Sequence, residues 1–362
     1  MAGWLRFVCL LIGLGCWAQL PASAQTDGVL RSAYTRPLSQ WPAPVIDPGV
    51  PFEELGALPR RAAAPPVRDS ALASLGARLF FDPRLSSDGR VSCASCHRPE
   101  QGWTVRSAVG SGVQGRVGRR NPPALLGVAA ELQWGWDGHG RSLEAQSVRP
   151  LTDFLEMGHA SPRDLVRHLQ TLPDLADRLT VWSERSETWP DVLGAALVAF
   201  QRGLQHVSRF DRFVTGDHQA LSDVEVRGLH LFRTHARCAN CHFGPRFSDG
   251  GFHNLGIAFY GEPKQDLGRY GVSLQCEDAG RFRTPTLRSV ALTAPYMHHG
   301  LFANLEGVVR LYVRGGGDPR IRNAVEAADP LRRCAARVSS HLKPLSLTEA
   351  DVQALIAFLR TL

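Results

Sequence analysis

Two pentapeptides carry the most specific chemistry in this chain: Cys93-Ala-Ser-Cys96-His97 and Cys238-Ala-Asn-Cys241-His242. In a CxxCH segment two thiols can add across the vinyl groups of a haem, and the adjacent histidine is placed to bind its iron. With 8 Cys and 13 His in 362 residues, only about 0.006 such segments are expected by chance. Zinc would want two separated ligand hooks, and a thioredoxin-like pair would want a βαβ context that the sequence lacks. Cys93, Cys96, Cys238 and Cys241 are therefore expected to attach two haems c, with His97 and His242 as proximal iron ligands.

The other cysteines and the composition set the compartment. Arg6, the apolar stretch Phe7 to Leu20 and the small residues Ala22-Ser23-Ala24 read as a secretory signal over residues 1–24, and hence as export to the periplasm. The stretch is shorter than the roughly 20 apolar residues of a membrane span. A lipoprotein reading at Cys16 is weakened by Gly13 three residues before it. Cys9 and Cys16 would leave with the signal; Cys276 and Cys334 remain, either as a disulfide in an oxidising compartment or as two separate thiols. The formal charge is +7, and removal of Arg6 leaves +6, most of which two haems' propionates would cancel. The arginines are scattered rather than gathered on one helix face, which argues against nucleic acid.

The elements that must position these groups are helical. Residues 25–67 are rich in Pro and Ala and read as an extended arm. Ser70 to Phe80 shows a helical apolar face at Leu72, Leu75, Gly76 and Leu79. Ser222 with Glu225 forms a capping-box signature before Gly228, Leu231 and Phe232, and Ser346 with Glu349 forms another before the stripe Val352, Leu355, Ile356 and Leu359. Gly76-x-x-Leu79-Phe80 precedes the first CxxCH and Gly228-x-x-Leu231-Phe232 the second, which implies an internal duplication of about 150 residues. The run Val192 to Leu204 also reads as helix, and no sustained alternating pattern marks a strand. The fold expected is all-α, with two cytochrome-c-like helical domains over 68–215 and 216–362, long loops and one haem each. Gly110-Ser-Gly112-Val-Gln-Gly115 matches GxGxxG but follows no predicted strand, so it reads as a loop at the haem edge and not as a nucleotide site.

From about residue 69 onward the chain resembles the bacterial di-haem cytochrome c peroxidase and MauG family. The strings CASCHRPEQGWT, RRNPPALLGVA, WGWDGHGRSLEAQ, FLEMG, GRFRTPTLRSVALTAPYMHHG and LEGVVRLYVRGGG carry the resemblance, in the family's order and spacing. The resemblance implies roles. Trp136 matches the tryptophan between the two haems. Gln146 and Glu156 match the polar pair above the peroxide-binding iron, and Pro150 the proline beside that pocket. Asn121, with the carbonyls of Thr293 and Pro295, matches a calcium site between the domains. His298 matches the histidine of the PYxH string. A carboxylate such as Glu156 can take the proton of the nearer peroxide oxygen and deliver it to the leaving one, while Gln146 can orient peroxide or its water.

Axial ligands divide the family. Many of its peroxidases carry a distal histidine sixteen residues after the first proximal one, where this chain has Val113. That predicts a five-coordinate first haem, unless a distant side chain such as His139 or Met157 fills the position. Fourteen residues after His298, where the peroxidases have Met, stands Tyr312, as in MauG-type members. A phenolate favours high oxidation states, whereas Met raises the potential. MauG itself has a surface tryptophan two residues before its second CxxCH, and this chain has Ala236 there, which puts methylamine dehydrogenase precursor in doubt as its substrate. The resemblance thus implies a peroxide-dependent oxidoreductase whose partner is a small cytochrome c or cupredoxin, or a protein oxidised at a side chain. A plain electron-transfer cytochrome is the rival from another class.

Overall fold

The computed structural model describes residues 22–58 and 67–362, so residues 1–21 of the expected signal lie outside the described residues. Fourteen α-helices occur among the described residues. Those before the second CxxCH are α1 Ala22–Tyr34, α2 Val67–Phe81, α3 Cys93–Cys96, α4 Leu143–Thr152, α5 Pro162–Gln170, α6 Pro173–Thr180, α7 Trp189–Gln201, α8 Arg209–Val214 and α9 Asp223–Arg233. After it come α10 Tyr270–Ser273, α11 Leu305–Val313, α12 Ala324–Ala328, α13 Pro330–Ala335 and α14 Glu349–Leu359. One ribbon interrupts the helices: β1 Phe252–Asn254 pairs antiparallel with β2 Arg281–Arg283, Phe252 opposite Arg283 and His253 opposite Phe282. None of the described helices is long and apolar enough to cross a membrane.

Two main hydrophobic cores form, and the duplicated motif shows why. Gly76 of α2 meets the backbone of α7 so closely that a Cβ would lie 1.9 Å from the Ala196 carbonyl oxygen. Gly228 of α9 does the same against α14, 2.0 Å from the Ala354 oxygen. In each motif the glycine permits the helix crossing, while Leu79 and Phe80, or Leu231 and Phe232, fill the core beneath it. The first core joins these residues of α2 to Leu165, Leu169, Leu193 and Leu197. The second joins α9 to Leu355 and Phe358 of α14.

Three expectations change. The arm over 25–67 is not extended throughout, because Ala22–Tyr34 is helical. Its stability is tertiary: Arg31 pairs with Asp223 and donates to the His218 and Leu221 carbonyls at 2.8 Å, and Tyr34 and Trp41 are buried in the second core. The break between the cores falls before 208 and not at 215. Ser208 and Asp211 form a capping box that starts α8, whose Phe210 and Phe213 enter the second core. The last helix is capped by Thr348 with Asp351, not by Ser346 with Glu349. Leu345 donates to the Val313 carbonyl at 2.9 Å, which keeps the chain extended along α11 until Thr348. The Ser222–Glu225 box caps α9 as expected. Of the two alternatives for Cys276 and Cys334, the structure has the disulfide, with Cα atoms 5.7 Å apart.

Candidate active site

Each CxxCH sits in a helical turn that presents its thiols and imidazole on one side. Ser92 and Ser95 cap α3 reciprocally, and Cys93 accepts the His97 N–H at 2.9 Å. The second motif repeats this, with His242 N–H donating to the Cys238 carbonyl at 2.9 Å. His97 Nδ1 lies 3.1 Å from the Trp103 carbonyl and His242 Nδ1 2.9 Å from the Phe247 carbonyl. A main-chain oxygen thus holds the Nδ1 proton in both, which leaves Nε2 as the metal-binding nitrogen. Burial holds both imidazoles below the ordinary histidine range, in the neutral form that ligates metal. Burial also pushes the Cys93 and Cys238 thiols up to about 12. A thioredoxin-like pair needs a lowered thiol pKa, so that alternative loses its chemistry.

A single cavity touches both motifs. Its wall carries all four CxxCH cysteines, His97 and His242, together with Trp136, Gln146, Pro150, Glu156, His298, Tyr312, Asn121, Thr293 and Pro295. The residues expected to hold haem, peroxide and calcium therefore line one cavity, while Val113 and His139 do not. The wall also suits a carboxylate-bearing porphyrin: Arg237, beside Cys238, has a buried Nε with no hydrogen-bond partner. Cys241, Asp249 and His253 lie within 4.8 Å of one another, but Asp249 is engaged by His253 at 2.8 Å and by the Gly251 N–H at 2.8 Å. The two motifs share one architecture.

On the first side, Ser142 caps α4, which carries Gln146 and Pro150. Lacking an N–H, Pro150 cannot donate to the Gln146 carbonyl one turn earlier, so α4 weakens there. The chain then turns, with Met157 N–H on the Pro150 carbonyl at 3.0 Å, and Glu156 stands in that turn. Burial, with Asp153 adding to it, holds the Glu156 carboxyl above the usual range, against Arg149 whose Nη1 is 3.5 Å away. The Gln146 Oε1 is buried with no partner. Val113 is fully buried outside the cavity wall, so the 110–115 loop brings no side chain from that position to the His97 side. Gly110 of that loop packs on Cys96, where a Cβ would sit 2.7 Å from Sγ. Of the two distant ligand candidates, Met157 lines the cavity and His139 does not.

On the second side, Tyr312 projects from α11 to the same cavity. Burial first, and then the Cys241 and Cys238 thiols, raise its phenol; a bound cation would act in the opposite sense.

Between the two sides lies Trp136, hooked by both. Its indole N–H donates to the Asn121 carbonyl at 2.8 Å, and its own carbonyl accepts the Arg283 N–H at 2.8 Å. The ring meets His298 edge-on at 6.4 Å, and His298 stacks on Phe282 at 3.6 Å. Burial, with His299 beside it, lowers His298 to about 3, so it is neutral. Asn121 donates from Nδ2 to the Ser107 and Ala108 carbonyls at 3.3 and 3.2 Å, which orients its amide and leaves Oδ1 as the acceptor.

Sequence reasoning missed the clamp around this junction. Arg120 binds Asp137 at 2.6 Å and Asp266 at 2.6 Å, and Arg283 binds Glu131 at 2.5 Å, both side chains under one-tenth exposed. Asp266 lies 146 positions from Arg120 and Arg283 lies 152 from Glu131, whereas Asp137 is 17 positions from Arg120. Only the Asp of the WDG string was a visible signal.

Comparison with known proteins gives consistent relatives. The family model for di-haem cytochrome c peroxidases matches residues 70–219. Methylamine utilization protein MauG of Methylorubrum extorquens is 36% identical over 299 residues, 80% of this chain and 77% of that one. Cytochrome-c peroxidase IdrP1 of Pseudomonas sp. (strain SCT) is 32% identical over 321 residues, 80% of each. The crystal structure of the diheme peroxidase BthA from Burkholderia thailandensis E264 matches with a TM-score of 0.71 at 28% identity, over 88% of this chain and 95% of that one.

Proposed function

The chain belongs to the di-haem cytochrome c peroxidase family, and on that premise we propose that it is a periplasmic, MauG-like oxidoreductase that activates hydrogen peroxide on the His97 side. It is a haem-dependent enzyme of peroxidase type. The observation that carries the finer reading is the shared cavity, on which Glu156 and Gln146, Trp136, and Tyr312 succeed one another between the two CxxCH segments.

Covalent haems bound at the two motifs would supply peroxide binding and electron storage. The protein's own groups do the rest. Glu156, its carboxyl raised by burial, accepts a proton at one peroxide oxygen and returns it at the other. Gln146 orients peroxide through its amide, and Pro150 bounds the space beside it. Trp136, fixed from both sides, is the step for electrons between the halves. Tyr312 and His242, on the same cavity wall, would hold the second haem, and a phenolate on its iron would favour holding oxidising equivalents over accepting electrons from a donor. Asn121 Oδ1, with the Thr293 and Pro295 carbonyls, offers the hard oxygens that suit Ca²⁺ near the junction.

The test is the EPR spectrum of the resting ferric protein, followed by mixing with peroxide. One high-spin and one low-spin haem, with reaction before any reduction, supports the reading. Two low-spin haems inert to peroxide would overturn it in favour of an electron carrier. If reduced small cytochrome c or cupredoxin accelerates peroxide decay, the electrons come from that donor and not from an oxidised protein side chain.

A further inference from the structure

The two CxxCH turns are fixed by different means. The first is tied locally, where Ser95 Oγ accepts the Ser92 N–H at 3.1 Å. The second has no side chain capping its turn, and Arg237, directly before Cys238, takes φ 58°, a left-handed backbone that a residue with a Cβ seldom adopts. Such a residue persists where its surroundings over-determine it, and here the N-terminal arm supplies them. Asn240, buried between the two cysteines, accepts the Asp47 backbone N–H on Oδ1 at 2.7 Å and donates from Nδ2 to the Arg237 carbonyl at 3.0 Å. Val45 N–H donates to the Arg233 carbonyl at 2.9 Å, and Gly244 N–H donates to the Glu53 carbonyl at 3.0 Å. The arm thus grips the chain on both sides of the second motif.

Asp47 is the carboxylate that the arm brings to this turn. One of its oxygens accepts from Arg237 Nη2 at 2.5 Å, and the other lies 2.9 Å from His341 Nδ1. Arg237, His341 and Lys343 line the cavity, whereas Asp47 stands behind them. Arg237 Nε is buried with no hydrogen-bond partner. A buried N–H of a charged group left unpaired is costly, and Asp47 already occupies the guanidinium from the other end. The missing acceptor must come from what fills the cavity, and a haem brings carboxylates. We propose that Asp47 is a positioning residue for the second haem: it holds Arg237 so that the buried Nε–H donates to a haem propionate, and the guanidinium keeps the potential of that haem up. This rests on a haem at Cys238, Cys241 and His242. The sign follows from charge, because a cation beside the propionate favours the reduced iron, which carries one positive charge fewer.

The experiment is a spectroelectrochemical titration of the holoprotein, with haems counted by pyridine haemochrome, for the wild type, Arg237→Gln, Asp47→Asn and the double variant. Arg237→Gln should lower the midpoint of the second haem and leave the first in place. Asp47→Asn should lower it as well. That result separates positioning from plain charge, since deleting a carboxylate near a haem would by itself raise the potential. The double variant should match Arg237→Gln, because residues acting through one contact do not add. If Gln costs the second haem, Arg237→Lys keeps the charge without the planar fork and should give a smaller shift in the same direction. A raised midpoint in Asp47→Asn, or an unchanged one in Arg237→Gln, would overturn the proposal. Equal shifts of both haems would mark a general change of fold and overturn it too. One haem per wild-type chain would instead remove the second-haem premise.

Discussion

The backbone N–H of Val113 donates to the carbonyl of Glu156 at 2.8 Å. The position where many family peroxidases have a distal histidine is here a buried prop for the turn that carries the carboxylate. Gly112 is part of the same contact, because a Cβ on it would fall 2.0 Å from the Leu155 oxygen and 2.4 Å from the Glu156 oxygen. Gly112→Ala should push the turn away and slow peroxide consumption by about 10²-fold, the scale of a 1 Å misplacement. Stopped-flow rates, with haem content unchanged, check this.

Glu156→Gln removes the proton carrier and should cost at least about 100-fold in the same assay with both haem spectra intact. Because burial raises the carboxyl, the basic form is lost at a higher pH than for an ordinary glutamate as acid is added. The wild-type rate should therefore fall on the acid side earlier than pH 4.3, the usual glutamate value of about that size, would predict.

Tyr312→Phe should convert the low-spin EPR signal of the second haem while leaving the first unaltered. An unaltered low-spin signal would point to another ligand.

Gly76→Ala and Gly228→Ala each force a methyl into a facing helix backbone. Each should destabilise by about 1–3 kcal/mol or more, as overpacking does. Thermal unfolding of the holoprotein measures both, and equal costs would reflect the shared origin of the two crossings.

Acid should loosen the junction. Burial alone would raise Asp137 and Asp266, but Arg120, with His139 at Asp137, outweighs it and holds both below the usual range. Their contribution is present above the unfolded value of about 3.9 and is lost as pH falls through the lower folded values. Asp266→Asn should cost about 1–3 kcal/mol at pH 7 by leaving Arg120 half paired. It should also flatten the decline of Tm below pH 4.

The chain's chemistry was local enough to be legible from spacing. A CxxCH segment needs only one helical turn to bring thiols and imidazole together, and GxxLF needs only one helix face to pair a close crossing with two core side chains. The Ser222–Glu225 cap, three residues apart, was legible for the same reason, and the family strings carried the remaining wall residues. Tertiary structure decided what depends on partners far along the chain. Tyr34 and Trp41 turn an arm into a packed helix only because the second core receives them. Thr348 displaced Ser346 as a cap because Val313 holds Leu345 extended. Cys276 and Cys334, 58 positions apart, are brought together only by the fold of the chain between them. The Val113–Glu156 bond and the Asp137–Arg120–Asp266 clamp have no periodic trace either. Hydrogen bonds and ion pairs act over about 3 Å in space, whereas sequence pattern records only neighbours within a turn or two of the same element.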